Sequence, residues 1–146
     1  FKQMANGMGG LELRLPMLFD AMVAKGRASL QAFVRLTASE PAKIYGLAPK
    51  KGTIAIGSDA DLVIWDPTKK TEISDATTHD SSGYTAYAGK EIEGWPSHVV
   101  RRGAVIVEAG ELVAPPGSGQ FLARPGGAAA RPTGRLTTEL ALLQGG

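Results

Sequence analysis

Lys51-Gly-Thr-Ile-Ala-Ile-Gly-Ser-Asp-Ala-Asp-Leu-Val-Ile-Trp-Asp-Pro67 is the stretch in which the chain changes its period. Thr53–Ile56 is a short β-branched run, Gly57-Ser-Asp59 is a turn, and Leu62–Trp65 is a second run closed by Asp66-Pro67. β-Branched and aromatic side chains fit a pleated surface, whereas Gly, Asp and Pro favour reversals, so the stretch predicts two strands joined by a turn. Downstream, residues 68–88 are polar and irregular. Strands are expected again at Glu91–Trp95, Ser97–Arg102, Ala104–Glu108 and Glu111–Val113, with turns at Gly103 and Ala109-Gly110.

Upstream the period is 3.6. Pro16 suits the first turn of a helix, Leu18, Phe19, Met22 and Val23 recur at helical spacing, and Gly26 suits a stop after Lys25. Ser29 is placed to cap a second helix with Leu30, Phe33, Val34 and Leu36 on one face. Pro41 is expected to end it near Glu40, because the residue before a proline is pushed out of the α region, and a short half-helical turn, Pro41-Ala-Lys-Ile-Tyr45, then closes at Gly46. Helices followed by short strands give two regions with a seam near Leu47. Seven of the nineteen glycines and four of the nine prolines fall within residues 115–146, which read as an extended tail.

Composition narrows the function. The 146 residues carry a net charge of +2 from scattered cations, which speaks against a nucleic-acid interface. No apolar run approaches the ~18 residues of a membrane helix. Cysteine is absent and only His79 and His98 are present, so thiolate and His-rich metal sites are excluded within this chain. The chain opens Phe1-Lys-Gln-Met4, without a signal-peptide pattern, and a cytoplasmic protein is the expectation.

Candidate constellations are few. Asn6-Gly-Met-Gly-Gly10 offers glycines that allow positive φ and close approach of backbone to a ligand, but it lacks the phosphate-loop spacing. Asp59 and Asp61 fail as a calcium loop, because Val63 and Trp65 stand where oxygen ligands are needed; a turn with Asp side chains on backbone amides is expected. Asp75 and the His79-Asp80 dyad read as loop residues, since neighbours in sequence rarely face each other and no nucleophile accompanies them. His98 reads as solvent-facing, and Trp65 and Trp95 as strand-end core residues.

Five strings, in order, resemble the cyclic amidohydrolases, most closely the hydantoinases and dihydropyrimidinases. They are Asn6-Gly-Met-Gly-Gly-Leu-Glu-Leu-Arg-Leu-Pro-Met-Leu-Phe19, Thr37-Ala-Ser-Glu-Pro-Ala-Lys-Ile-Tyr-Gly-Leu47, the 51–67 stretch, Glu93-Gly-Trp-Pro96 and Gly117-Ser-Gly-Gln-Phe121. Together they span about residues 5–124. Glu40 departs from the pattern, in which Asn commonly precedes the Pro.

The resemblance implies an α/β fold: the C-terminal part of a metal-dependent (β/α)8 barrel plus the C-terminal strands of its small β-sandwich. Residues 1–47 would be the end of the barrel, 48–114 the sandwich strands and 115–146 the tail. The implied activity is hydrolysis of cyclic amides to N-carbamoyl amino acids. Two zinc ions would be held by a His-x-His pair, a carboxylated Lys, two further His and an Asp, all outside this chain. No catalytic residue and no metal ligand is therefore expected here, and Asn6 is expected to bind substrate through its backbone. The implied partners are the N-terminal remainder of the same enzyme, a small cyclic amide and further copies in a homotetramer, with no nucleic acid and no membrane. The alternatives are a non-catalytic scaffold of the collapsin response mediator type and an independent β-module for binding.

Overall fold

The computed structural model describes residues 7, 9–79 and 82–124. Three helical segments lie against one antiparallel sheet. Helix α1 (Leu11–Phe19) runs on into a π-helical turn at Asp20–Ala24. Gly26, with φ of 66°, donates to the Val23 carbonyl and stops it, as expected of a glycine in the left-handed region. The Ser29 hydroxyl then accepts from Ala32 N–H at 3.2 Å and caps α2 (Leu30–Val34).

Two expectations for the helices need correction. Pro16 lies inside α1 rather than in its first turn, because Leu11 already begins the helix from Gly10. The second helical run also does not end near Glu40. It passes through a π-helical stretch (Arg35–Ser39) into α3 (Glu40–Ile44), where Pro41 occupies the first turn. Pro41 stands at the junction where the π-helical ladder gives way to the α-helical one.

The sheet has the order β1 (Leu62–Glu72), β2 (Glu91–Arg101), β3 (Ala104–Glu108) and β4 (Glu111–Leu112), a simple meander. Strand β1 was expected to stop at Asp66-Pro67 but continues to Glu72, with the register shifting between Asp66 and Lys70. There the Asp66 carboxylate accepts from the N–H groups of Thr68 (3.0 Å) and Lys69 (3.1 Å), which hold its carboxyl below the usual range. Proline is tolerated because β1 is an edge strand and the irregularity needs no ladder donor. Pro96 lies within β2 opposite Trp65, beside the other register shift, so both tryptophans sit mid-strand rather than at strand ends.

Thr53–Ile56 forms no strand: Ile54 and Ile56 are 87% and 108% exposed. A β-branched run gains little as a strand without a partner ladder.

The core joins the two layers. Leu13 of α1 packs with Ile73, Ile92 and Trp95, flanked by Met17 and Tyr87. Next to it, Phe19 lies 4.8 Å from Trp65 and 5.4 Å from Phe33, centroid to centroid. Asp20, buried, accepts from Glu93 N–H at 3.0 Å and pairs with Lys25 at 3.3 Å, pinning the helical layer to β2. Gly94 makes the approach possible: a Cβ there would stand 2.2 Å from Phe19 Cδ1.

Candidate functional site

The conspicuous local feature is the entry to α1. Gly10 precedes the helix in an extended conformation, φ 170°, so the left-handed freedom of glycine is not what that position uses. Glu12 follows in the first turn, where a carboxylate is favoured by the unpaired N–H groups of the helix start.

Glu12 is held across the fold. One of its oxygens accepts from His79 N–H at 2.9 Å, and the other lies 2.9 Å from His79 Nδ1. The hydrogen bond to Glu12, and then its charge, raise the His79 pKa above the ordinary histidine value against a smaller opposing effect of burial. A second tie runs parallel, because the Tyr84 hydroxyl donates to the Gly7 carbonyl. The loop that provides both ties is itself braced. Asp75 accepts from Thr85 N–H at 2.6 Å, and Ser74 and Thr77 form a reciprocal cap on the short 3-10 turn Asp75–Thr77. A cavity of about 410 Å³ lies between the two segments, lined by Gly9, Gly10, Glu12, Thr78, His79 and Thr85 among others.

The other sequence candidates are placed as follows. Asn6 and Asp80 lie outside the described residues. Asp59 and Asp61 both pair with Lys51, the former at 2.8 Å, and Asp61 also accepts from Arg102 N–H at 2.7 Å. The Asp61 carboxyl, although burial pushes it up, is held below its usual value by Lys51 and by that backbone N–H. The pair thus closes a turn, as expected for Asp61, while Asp59 serves an ammonium rather than an amide. His98 faces Ser97 and, at 3.9 Å, Glu108 across the β2–β3 ladder. Glu40 pairs with Lys43 at 3.0 Å. Among the described residues no group of three or more His, Asp or Glu is placed to hold a metal ion, so the described residues do not fit a metal centre.

What the sequence reading missed is the partner of His79. It is Glu12, 67 residues upstream, and not a neighbour in the loop. The only signal was a lone acid set between apolar residues directly after the glycines.

The Amidohydrolase family model matches residues 5–106. The chain belongs to that family. It is 45% identical over 124 residues to a D-hydantoinase of Ralstonia pickettii, covering 85% of this chain and 27% of the relative. To the dihydropyrimidinase of Rattus norvegicus it is 39% identical over 124 residues, 85% of this chain and 24% of the relative. A solved D-hydantoinase (dihydropyrimidinase) from Thermus sp. superposes with a TM-score of 0.79 at 42% identity, over 85% of this chain and 27% of that one. The chain therefore spans about a quarter of the length of the relatives it matches, and its α/β fold is part of the amidohydrolase barrel fold, as the resemblance implied.

Proposed function

We propose that these 146 residues are the C-terminal portion of an enzyme that opens hydantoins or dihydropyrimidines by hydrolysis. The observation that carries the proposal is the 45% identity to a D-hydantoinase over 85% of the chain. In the reaction the ring C–N bond breaks, the oxygen of water ends on the carbonyl carbon as a carboxylate, and the nitrogen takes a proton. The product is an N-carbamoyl amino acid.

Within this reading residues 1–47 close the barrel, 48–114 supply sandwich strands and 115–146 form the tail, of which 125–146 lie outside the described residues. Two zinc ions would be held by residues outside this chain. Asn6 would recognise the ring through its main chain: a cyclic imide presents a donor beside an acceptor, and the C=O and N–H of one residue complement that pair. Leu30, Val34, Leu36, Ile44 and Tyr45 are exposed on the helical layer, which supports a reading in which the rest of the enzyme covers them. A cytoplasmic homotetramer completes the proposal.

The scaffold alternative is not favoured, since the relatives matched at 39–45% identity carry the names of enzymes. The test is metal analysis and ring-opening kinetics of the complete protein. Bound metal with release of N-carbamoyl product is expected; a metal-loaded protein that opens neither hydantoin nor dihydrouracil would overturn the reading.

A further inference from the structure

We propose that His79 is a positioning residue for substrate binding: with Tyr84, it ties Gly7 and the start of α1 to the stretches Ser74–His79 and Tyr84–Thr85 and so holds Gly9–Leu13 along the cavity wall. The inference rests on the cyclic-amide reading above, but its physical basis is independent of it. Two ties converge on one short segment from one loop. His79 gives both its backbone N–H and its ring to the two oxygens of Glu12, at 2.9 Å each, and Tyr84 holds the Gly7 carbonyl. Gly7, Gly9 and Gly10 have no side chains with which to fix their own backbone, so their geometry must be imposed by their neighbours, by α1 through buried Leu13 and by the loop through its two ties. A binding group displaced by a fraction of an ångström loses much of its effect. The loop that imposes the geometry is in turn held by Asp75 on Thr85 N–H and by the Ser74–Thr77 cap.

The ring bond to Glu12 is stronger when His79 is protonated, because a charge-assisted hydrogen bond exceeds a neutral one. Among the described residues the charged groups around His79 are Glu12 on α1, Glu111 on β4 and Arg14, which lines the adjoining groove. Both acids favour the imidazolium. A histidine with a raised folded-state pKa contributes fully on the acid side and loses that contribution as pH rises through the folded value.

The test compares the complete enzyme with its His79→Ala, His79→Gln and Tyr84→Phe variants. It measures hydantoin kinetics from about pH 5 to about pH 9, across the histidine range, deuterium uptake of a peptide spanning residues 9–14, and thermal denaturation. His79→Ala keeps the backbone N–H and loses the ring, so KM for hydantoin should rise roughly tenfold, the worth of one charge-assisted bond, with kcat within about twofold. Uptake should rise in residues 9–14 alone. His79→Gln, which still offers Glu12 an amide donor, should recover most of both, and the parent's remaining advantage over it should fade as pH rises. Tyr84→Phe should raise KM and uptake in the same direction. Unchanged KM and uptake in His79→Ala would overturn the inference. So would a fall in kcat with uptake raised throughout the protein, which marks a merely structural role. If the parent opens no hydantoin, the cyclic-amide reading fails on its own, and the uptake comparison still decides: a rise confined to residues 9–14 supports positioning, and none refutes it.

Discussion

Gly94→Ala should be among the most damaging single-methyl substitutions in this chain. Gly94 has φ of 94°, in the region where a Cβ crowds the backbone, which costs about 1–2 kcal/mol. The added methyl would also stand 2.2 Å from Phe19 Cδ1, 2.4 Å from Phe19 Cε1 and 2.9 Å from Trp65 Nε1. Phe19 cannot retreat freely, because it is 3% exposed and its ring meets Phe33 edge-on at 5.4 Å. Overpacking of this kind costs about 1–3 kcal/mol, so the sum is roughly 2–5 kcal/mol. Gly26→Ala is the control: φ is 66° but nothing lies within 4 Å of the new methyl, so only the backbone cost of about 1–2 kcal/mol applies. Urea unfolding of the complete protein, followed by tryptophan fluorescence, measures both. Phe19→Leu in the Gly94→Ala background should return about half of the loss, whereas on its own it should destabilise. Equal costs for Gly94→Ala and Gly26→Ala, or no rescue by Phe19→Leu, would refute the packing argument.

Two further predictions follow from single interactions. Asp20→Ala orphans the Glu93 N–H in a part-buried setting and should cost about 1–3 kcal/mol, whereas Asp20→Asn keeps an acceptor and should cost less; the same urea midpoints check this. The cluster of Lys51 with Asp59 and Asp61, in which Asp59 and then Asp61 raise the Lys51 pKa while Asp61 titrates below its ordinary value, should stabilise evenly between about pH 4 and about pH 10. Its contribution is lost as pH falls through the folded value of Asp61 or rises through that of Lys51, and Asp61→Asn should remove the acid-side loss in pH-dependent melts.

The parts of this fold that the sequence made legible are those decided within one turn of chain. Ser29 as a cap and Gly26 as a stop need only their immediate neighbours, and both stand where local chemistry puts them. The strands Ala104–Glu108 and Glu111–Leu112 follow tight turns at Gly103 and Gly110, and their positions were equally clear, to within a residue at the last. Prolines misled in a consistent way. Pro67 and Pro96 were read as strand ends, but each sits at a register shift where the ladder asks for no donor. The helix expected to stop before Pro41 instead runs through a π-helical stretch into α3. For the two strand prolines the pairing with the neighbouring strand removes the penalty on which the local rule depends, and for Pro41 the helical stretch before it does so. Thr53–Ile56 failed in the opposite sense, since its β propensity is real but among the described residues no strand pairs with it.

The site follows the same division. The glycines before α1 were visible because composition alone marks them, whereas the groups that give them a shape were not. His79 was weighed against Asp80 because adjacency is all that a sequence displays, yet adjacent side chains diverge. Its partner had to come from another element, and Glu12 becomes that partner only once Leu13 has packed on Ile73 and Ile92 and brought the start of α1 over the loop. Burial of apolar groups thus decides which polar groups can meet, and the polar pair then settles the backbone at the cavity. A loop of otherwise unremarkable Ser, Thr, Asp and Tyr residues acquires its role at this last step, which is why the proposal for His79 and Tyr84 is tested at the glycines rather than at the loop itself.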